Sequence, residues 1–291
     1  MNFDEYQTKA IRTDRVPGSV DDTNPEPVIV PMLGLAGEAG QLLSEYKKHL
    51  RDGDAHTLFR NRVGEELGDL LWYISNVASK FELSLSGIAR DNIIKTEARW
   101  MGDRVDRQYF DEGMAEDQQL PRKATVRIES LDEKKVRIFL NGKKVGADLT
   151  DNSYDPDGYR FHDVFHFGYA AVLGWSPVTR AIIGAKRKGN KLIDEVEDGG
   201  RATVIEEGIS ALVFEYARKH NLLEGVTRLD YDLLRTIQDM TAYLEVKERT
   251  PAEWENAILQ GFDAWRKVVA AKGGTLEIDQ INRQIKFISP T

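Results

Sequence analysis

Two acidic stripes on neighbouring helical stretches constrain this chain more than any other feature, because carboxylates brought close together need positive charge between them. The first stretch reads Gly34-Leu35-Ala36-Gly37-Glu38-Ala39-Gly40-Gln41-Leu42-Leu43-Ser44-Glu45, and the second Gly64-Glu65-Glu66-Leu67-Gly68-Asp69-Leu70-Leu71-Trp72-Tyr73. Residues three or four apart share a helix face. Glu38, Gln41 and Glu45 therefore line one stripe and Glu66 and Asp69 another, with 24 residues between Gln41 and Glu66, enough for a helix end and a loop. Hard oxygen ligands in this arrangement suit magnesium, which commonly bridges protein carboxylates to substrate phosphates, with manganese as the alternative ion. Gly37, Gly40, Gly64 and Gly68 lie in or beside apolar helical runs. Glycine costs about 1 kcal/mol against alanine there, so close helix approach is their expected reason.

The periodicity predicts a mainly α chain with an α+β second half. Helices are expected over Phe3 to Arg15, Met32 to Leu50, Phe59 to Phe81 and from Ser84 to about Met101, with Val16 to Pro31 as a proline-rich loop. Val63, Leu67, Leu70, Leu71, Ile74, Val77 and Ala78 form the apolar stripe of the third helix. Four such helices make a bundle with a metal site between them. The pattern then lapses in an Asp-, Glu-, Gln- and Arg-rich stretch, and alternation follows: Val126 and Ile128, then Val136, Ile138 and Leu140, with Asn141-Gly142 as a hairpin turn before Val145. A small antiparallel meander is expected over Ala124 to Leu149. Leu276, Ile278, Ile285, Phe287 and Ile288 predict a last hairpin joining it, with a second helical set between from Phe161 to Lys272. The domains expected are 1–105 (helical), 106–121 (linker) and 122–291 (α+β).

The first half resembles the MazG-like, all-alpha nucleoside triphosphate pyrophosphohydrolases, whose signature is an ExxE, a variable gap and an ExxD. Glu38 to Gln41 matches the first element with one substitution, and Glu66 to Asp69 matches the second. Tyr6-Gln7 with Ala10 and Thr13 is similar to the family's opening helix, and Asn92-Ile93-Ile94-Lys95 with Arg99 to its closing helix. The resemblance implies magnesium-dependent cleavage of a nucleoside triphosphate, or a related nucleotide, between its α and β phosphates. It assigns Glu38, Glu66 and Asp69 as metal ligands, and Asn92 and Lys95 to substrate, the lysine as a point charge toward phosphate. Gln41 stands where the family has a carboxylate. Its carbonyl can ligate a cation but adds no charge, so Glu45 or Glu65 would make up the deficit. Trp72 and Tyr73 follow directly; core packing is the ordinary role for such rings, and stacking of Trp72 on a base the functional one. A homodimer or homotetramer is the assembly the resemblance implies.

In the second half, Phe161-His162-Asp163-Val164-Phe165-His166 sets two histidines one turn apart, a spacing open to metal ligation but also to ordinary buried hydrogen bonding among aromatics. Lys186-Arg187-Lys188 reads as a solvated basic loop or a phosphate contact. Glu206-Glu207-Gly208-Ile209-Ser210 resembles an ExxD helix whose aspartate has become serine, and Trp254-Glu255-Asn256-Ala257-Ile258 with Arg266 echoes the Asn92 to Arg99 helix, so a degenerate second bundle is one reading. The arrangement as a whole is similar to a C-terminal extension found on some MazG-like proteins.

Composition narrows the class. The 291 residues contain no cysteine, which excludes disulfides, zinc–thiolate sites and thiol nucleophiles. The net charge of −8 argues against a basic nucleic-acid surface but not against nucleotides, whose charge a metal can offset. The start, Met1-Asn2-Phe3-Asp4-Glu5-Tyr6, lacks signal-peptide regions, and no apolar run approaches the roughly 20 residues a membrane span needs. A cytoplasmic enzyme with no membrane or nucleic-acid partner is therefore expected. Its rivals are a nucleotide sensor that has lost turnover through Gln41 and an interaction protein working through residues 122–291.

Overall fold

The structure is a computed structural model that describes residues 1–21, 23–100 and 108–290, with only the backbone described at 98 and 100. The chain divides into two compact units, residues 1–96 and 97–291. It is mainly helical, with one five-stranded antiparallel sheet among the described residues.

The first unit is built on a helical hairpin. Helix α1 (Phe3–Ala10) is capped by Asn2, whose side chain accepts the Glu5 amide at 2.9 Å, and runs into a short 3-10 turn at Ile11–Thr13. Helices α2 (Glu26–Asp52) and α3 (Phe59–Lys80) follow, joined by a short connection that Gly53 opens at φ 57°. The sequence placed the start of α2 at Met32, six residues late, because its prolines read as loop. Pro27 instead sits in the first turn, where its missing N–H costs nothing, and only Pro31 is interior. Helix α4 (Leu85–Trp100) begins where Gln7 holds it: the Gln7 amide donates to Leu83 O at 2.9 Å and its carbonyl accepts Leu85 N at 2.8 Å. The buried Lys80 closes the far end of α3, bonding Asp14 and donating to Val16 O at 2.6 Å.

The glycines do not work as the sequence suggested. A Cβ on Gly37, Gly40, Gly64 or Gly68 would meet nothing within 4 Å, whereas at Gly34 it would fall 2.2 Å from Tyr73 Cε1. Gly34 is thus where α2 and α3 come closest, and the other four face open space. The apolar stripe of α3 is likewise only partly covered: Ala78 is buried, but Leu67 and Ile74 are exposed.

The second unit has the alternation that the sequence showed. Strands β1 (Lys123–Ser130), β2 (Val136–Leu140), β3 (Lys143–Leu149), β4 (Gly273–Asp279) and β5 (Gln284–Ser289) form one antiparallel sheet in the order β3-β2-β1-β4-β5. Asn141 and Gly142 both adopt positive φ, at 48° and 80°, the geometry of a two-residue hairpin. Ala124, Val126, Ile128, Val136, Ile138, Leu276 and Ile278 give the sheet its buried face. Against the core pack helices α5 (Asp163–Leu173), α6 (Pro177–Ile183), α8 (Gly200–Arg218), α9 (Tyr231–Thr241) and α10 (Pro251–Ala271), while the short α7 (Lys191–Val196), with no buried residue, lies against α8. Helix α5 is buried on every face, as an apolar sequence all round requires. It crosses α10 where Gly168 lies against Gly261, and Phe165 stacks on Phe262 at 4.5 Å.

The stretch expected to be a linker is part of this unit, as far as residues 108–121 show; 102–107 lie outside the described residues. Asp111 and Leu120 are buried. Asp111 accepts Arg122 Nη2 at 2.6 Å, Arg180 Nη2 at 2.7 Å and the Leu120 amide at 2.8 Å. The alternation of charge continues: Arg180 Nε lies 3.7 Å from Asp198, which binds Arg187 Nη2 at 2.7 Å, and the same Nη2 reaches Glu245 at 2.7 Å. Arg187 is therefore no solvated loop residue but a wholly buried one. Gly199 is demanded here by space, since a Cβ would fall 2.0 Å from Glu195 O.

The positions that echoed a second bundle have other work. Ser210 donates back to Glu206 O at 3.0 Å, Trp254 is core, and Glu255 accepts the Leu229 amide at 2.8 Å.

Burial pushes the Asp111 carboxyl up, but Arg122, the Leu120 amide and Arg180 outweigh it and hold the group below the usual carboxylate range. A depressed folded pKa contributes stability that is present above the unfolded value, about 4, and lost as pH falls through the folded one. Asp111→Asn should lower unfolding free energy by about 3 kcal/mol at neutral pH, because the buried Arg180 and the half-buried Arg122 lose its charge. Denaturant titration of the two proteins should show the difference shrinking on acidification.

Candidate metal centre

The helical hairpin brings Glu38 of α2 together with Glu66 and Asp69 of α3. One carboxylate oxygen from each lies within 4.8 Å of the other two. Glu38 and Glu66 are half-buried and Asp69 is exposed, so the cluster opens to solvent on one side. Burial raises the proton affinity of Glu66, and repulsion from Glu38, with smaller shares from Asp69 and Glu45, raises it further. Tyr6 of α1 stands close enough that burial and the Asp69 charge also raise its hydroxyl above the ordinary value. Among the described residues no lysine or arginine pairs with the three carboxylates.

All donors here are hard oxygens, and oxygens sharing one magnesium at about 2.1 Å stand about 3–4 Å apart. A small closure of the cluster would meet that geometry. The residues fit a hard divalent cation, and the repulsion at Glu66 is what such an ion would relieve.

The remaining sequence candidates fall differently. Gln41 lies beside the cluster, its amide donating to Glu38 Oε2 at 2.8 Å. Glu45, expected as a further ligand, is buried and already neutralised, bonded to Lys48 and 3.1 Å from His56 Nε2. Lys48 holds its carboxyl below the ordinary range. It lies outside the group of three, although its charge still reaches Glu66. Glu65 points to solvent and pairs with Arg62 at 2.8 Å. Trp72 is half-buried, its indole N–H donating to Thr13 Oγ1 at 2.8 Å and its ring set edge-on to Tyr73. Asn92 and Lys95 are exposed on α4. Tyr6 and His56 are the neighbours that spacing could not reveal, since each comes from another element.

What fold and site define is an α+β protein with an acidic, cation-fitting centre on its N-terminal helical hairpin. Residues 105–291 match the family described as the MazG C-terminal domain, and the chain belongs to that family. Membership ties it to the MazG-like, nucleotide-related proteins. It is also 36% identical over 101 residues to the Gene 37 protein of Mycobacterium phage L5, a match spanning 34% of this chain and 89% of that relative. No solved structure matches it. No helix among the described residues is long and apolar enough to cross a membrane.

Because the folded value of Glu66 lies above the unfolded one, the ion-free cluster costs stability at neutral pH, a cost relieved as pH falls through the Glu66 range. A cation relieves it at high pH instead and competes with the proton. Magnesium should therefore raise the melting temperature at about pH 8 and do so much less at about pH 5, and Glu66→Gln should remove the difference; thermal melts with and without magnesium measure it.

Proposed function

We propose that this protein is a magnesium-dependent nucleotide pyrophosphohydrolase that cleaves a nucleoside triphosphate, or a related nucleotide, between the α and β phosphates to release the monophosphate and pyrophosphate. The observation that carries this reading is the convergence of Glu38, Glu66 and Asp69 from two helices on one cation-sized space. Magnesium, or manganese in its place, would supply a water of lowered pKa and neutralise charge growing on the phosphate oxygens. Glu38, Glu66 and Asp69 would fix its position. Gln41 holds Glu38 in place through the 2.8 Å bond, and Tyr6 stands beside Asp69. Asn92 and Lys95, exposed on α4, would serve the substrate, the lysine as a point charge toward phosphate. A cytoplasmic setting, where nucleotides and magnesium are plentiful, suits this chemistry.

Pyrophosphate release from a panel of ribo- and deoxyribonucleoside triphosphates should fall by about 10²-fold or more in Glu66→Ala. One observation favours a second reading, a nucleotide sensor: the Gln41 amide brings no charge and occupies Glu38 Oε2. Nucleotide binding without pyrophosphate, with turnover appearing in Gln41→Glu, would establish the sensor instead.

Self-association belongs to the same proposal. Leu43, Tyr46 and Leu50, at i, i+3 and i+7 on α2, are exposed, as are Leu67 and Ile74 on α3. An apolar stripe facing water on a helix that also carries the acidic site is the pattern expected where a second hairpin packs. Light scattering should give a dimer or tetramer for the native chain and a smaller species for Leu43→Glu/Leu50→Glu.

A further inference from the structure

We propose that His162, His166 and Glu207 form a second metal site, in the C-terminal unit, for a first-row divalent transition metal such as zinc. The proposal is independent of the carboxylate centre on the first unit. His162, at the cap of α5, and His166, one turn on, present rings whose Nδ1 atoms are both engaged. His162 Nδ1–H donates to Tyr159 O at 2.8 Å and His166 Nδ1–H to Glu206 Oε1 at 2.9 Å. Each imidazole therefore turns Nε2 toward a shared space that Glu207 of α8 also enters, with Glu207 Oε2 3.9 Å from His162 Nε2 and 3.4 Å from His166 Nε2. The three ligand atoms lie within 4.8 Å of one another.

Three observations favour an ion over a plain buried pair. His166 is wholly buried, and its Nε2 makes no well-formed hydrogen bond in this space, its polar neighbour there being Glu207 Oε2 at 3.4 Å. A buried polar atom left unmatched is a cost that a metal bond would remove. Both rings also carry the outer support that ligating histidines use, N–H to a carboxylate or to a backbone carbonyl, which fixes tautomer and ring plane. Glu206 is itself held rigidly, accepting Ser176 Oγ at 2.6 Å and the Val178 amide at 2.8 Å. Finally, ligands about 2.0–2.2 Å from a tetrahedral zinc stand about 3.3–3.5 Å apart, close to the spacing seen.

The donor set of two imidazoles and one carboxylate selects first-row transition metals over magnesium or calcium. Asp163, 3.6 Å from His162 Nε2, lies at the edge of the space as a further oxygen donor. Glu207 is 43% exposed, which leaves the ion a way in and an open position toward solvent.

The test uses full-length protein carrying Glu66→Ala, so that the acidic centre does not contribute. After chelator treatment and dialysis it is titrated with zinc and, for an optical signal, with cobalt. One equivalent should bind per chain, with a cobalt spectrum of nitrogen and oxygen ligation. Glu207→Gln, at a half-exposed position, and His162→Asn should abolish that binding while melting as the parent does without metal. Glu206→Gln should weaken it by about 10–100-fold. Absence of stoichiometric binding, or binding unchanged in Glu207→Gln and His162→Asn, would overturn the proposal and leave a structural imidazolium–carboxylate pair only.

Discussion

Carboxylates crowded away from bulk water have to be compensated, and the two units of this molecule answer that constraint in opposite ways. In the C-terminal unit, Arg122, Asp111, Arg180, Asp198, Arg187 and Glu245 form a chain of alternating sign, three cations against three anions. That chain ties the segment before β1 to α6, to the turns on either side of α7 and to the turn before α10, so the neutralisation is also what closes the unit. Its four inner ions, Asp111, Arg180, Asp198 and Arg187, are buried, with Arg122 and Glu245 partly exposed at the ends, which makes the network a source of specificity as much as of stability.

On the N-terminal hairpin the carboxylates Glu38, Glu66 and Asp69 meet without such partners, while Glu45, two turns along α2 from Glu38, is paired with Lys48 and lies against His56. The contrast is informative. The chain has supplied internal cations where a carboxylate is structural and withheld them where three oxygens face one accessible space. An unrelieved cluster of this kind costs folding free energy, and repulsion of this kind is common where function needs it.

Much of the architecture was legible in the sequence because it is written in periodicity. Val126 and Ile128 against Val136 and Ile138, with Asn141-Gly142 between the second and third strands, specify strands, faces and turn together. Alternation at Leu276 and Ile278 also told that a last hairpin joins the sheet, though not that β4 pairs with β1. What could not be read depends on which elements meet. Lys186-Arg187-Lys188 has the composition of a surface loop, yet Arg187 is buried because Asp198 and Glu245 arrive from elsewhere. Pro25 and Pro27 signal a loop by composition but open α2 by position. Gly34, not the four glycines nearest the acidic residues, carries the close helix contact, since only the crossing with Tyr73 decides it. For the acidic cluster, helical spacing set Glu38 on one stripe with Gln41 and Glu45 and Glu66 and Asp69 on another, and the family resemblance grouped Glu38, Glu66 and Asp69, whereas the contact of Glu45 with His56 needed the turn after α2 to be seen.

The central claim is that these three oxygens hold one cation beside a polyphosphate. Anomalous diffraction from crystals soaked in manganese and a non-hydrolysable triphosphate analogue tests it most directly. The account predicts a manganese peak about 2.0–2.5 Å from an oxygen of each of Glu38, Glu66 and Asp69, with phosphate oxygens completing its shell. No peak there at saturating manganese, or side chains directed apart into solvent, would contradict it.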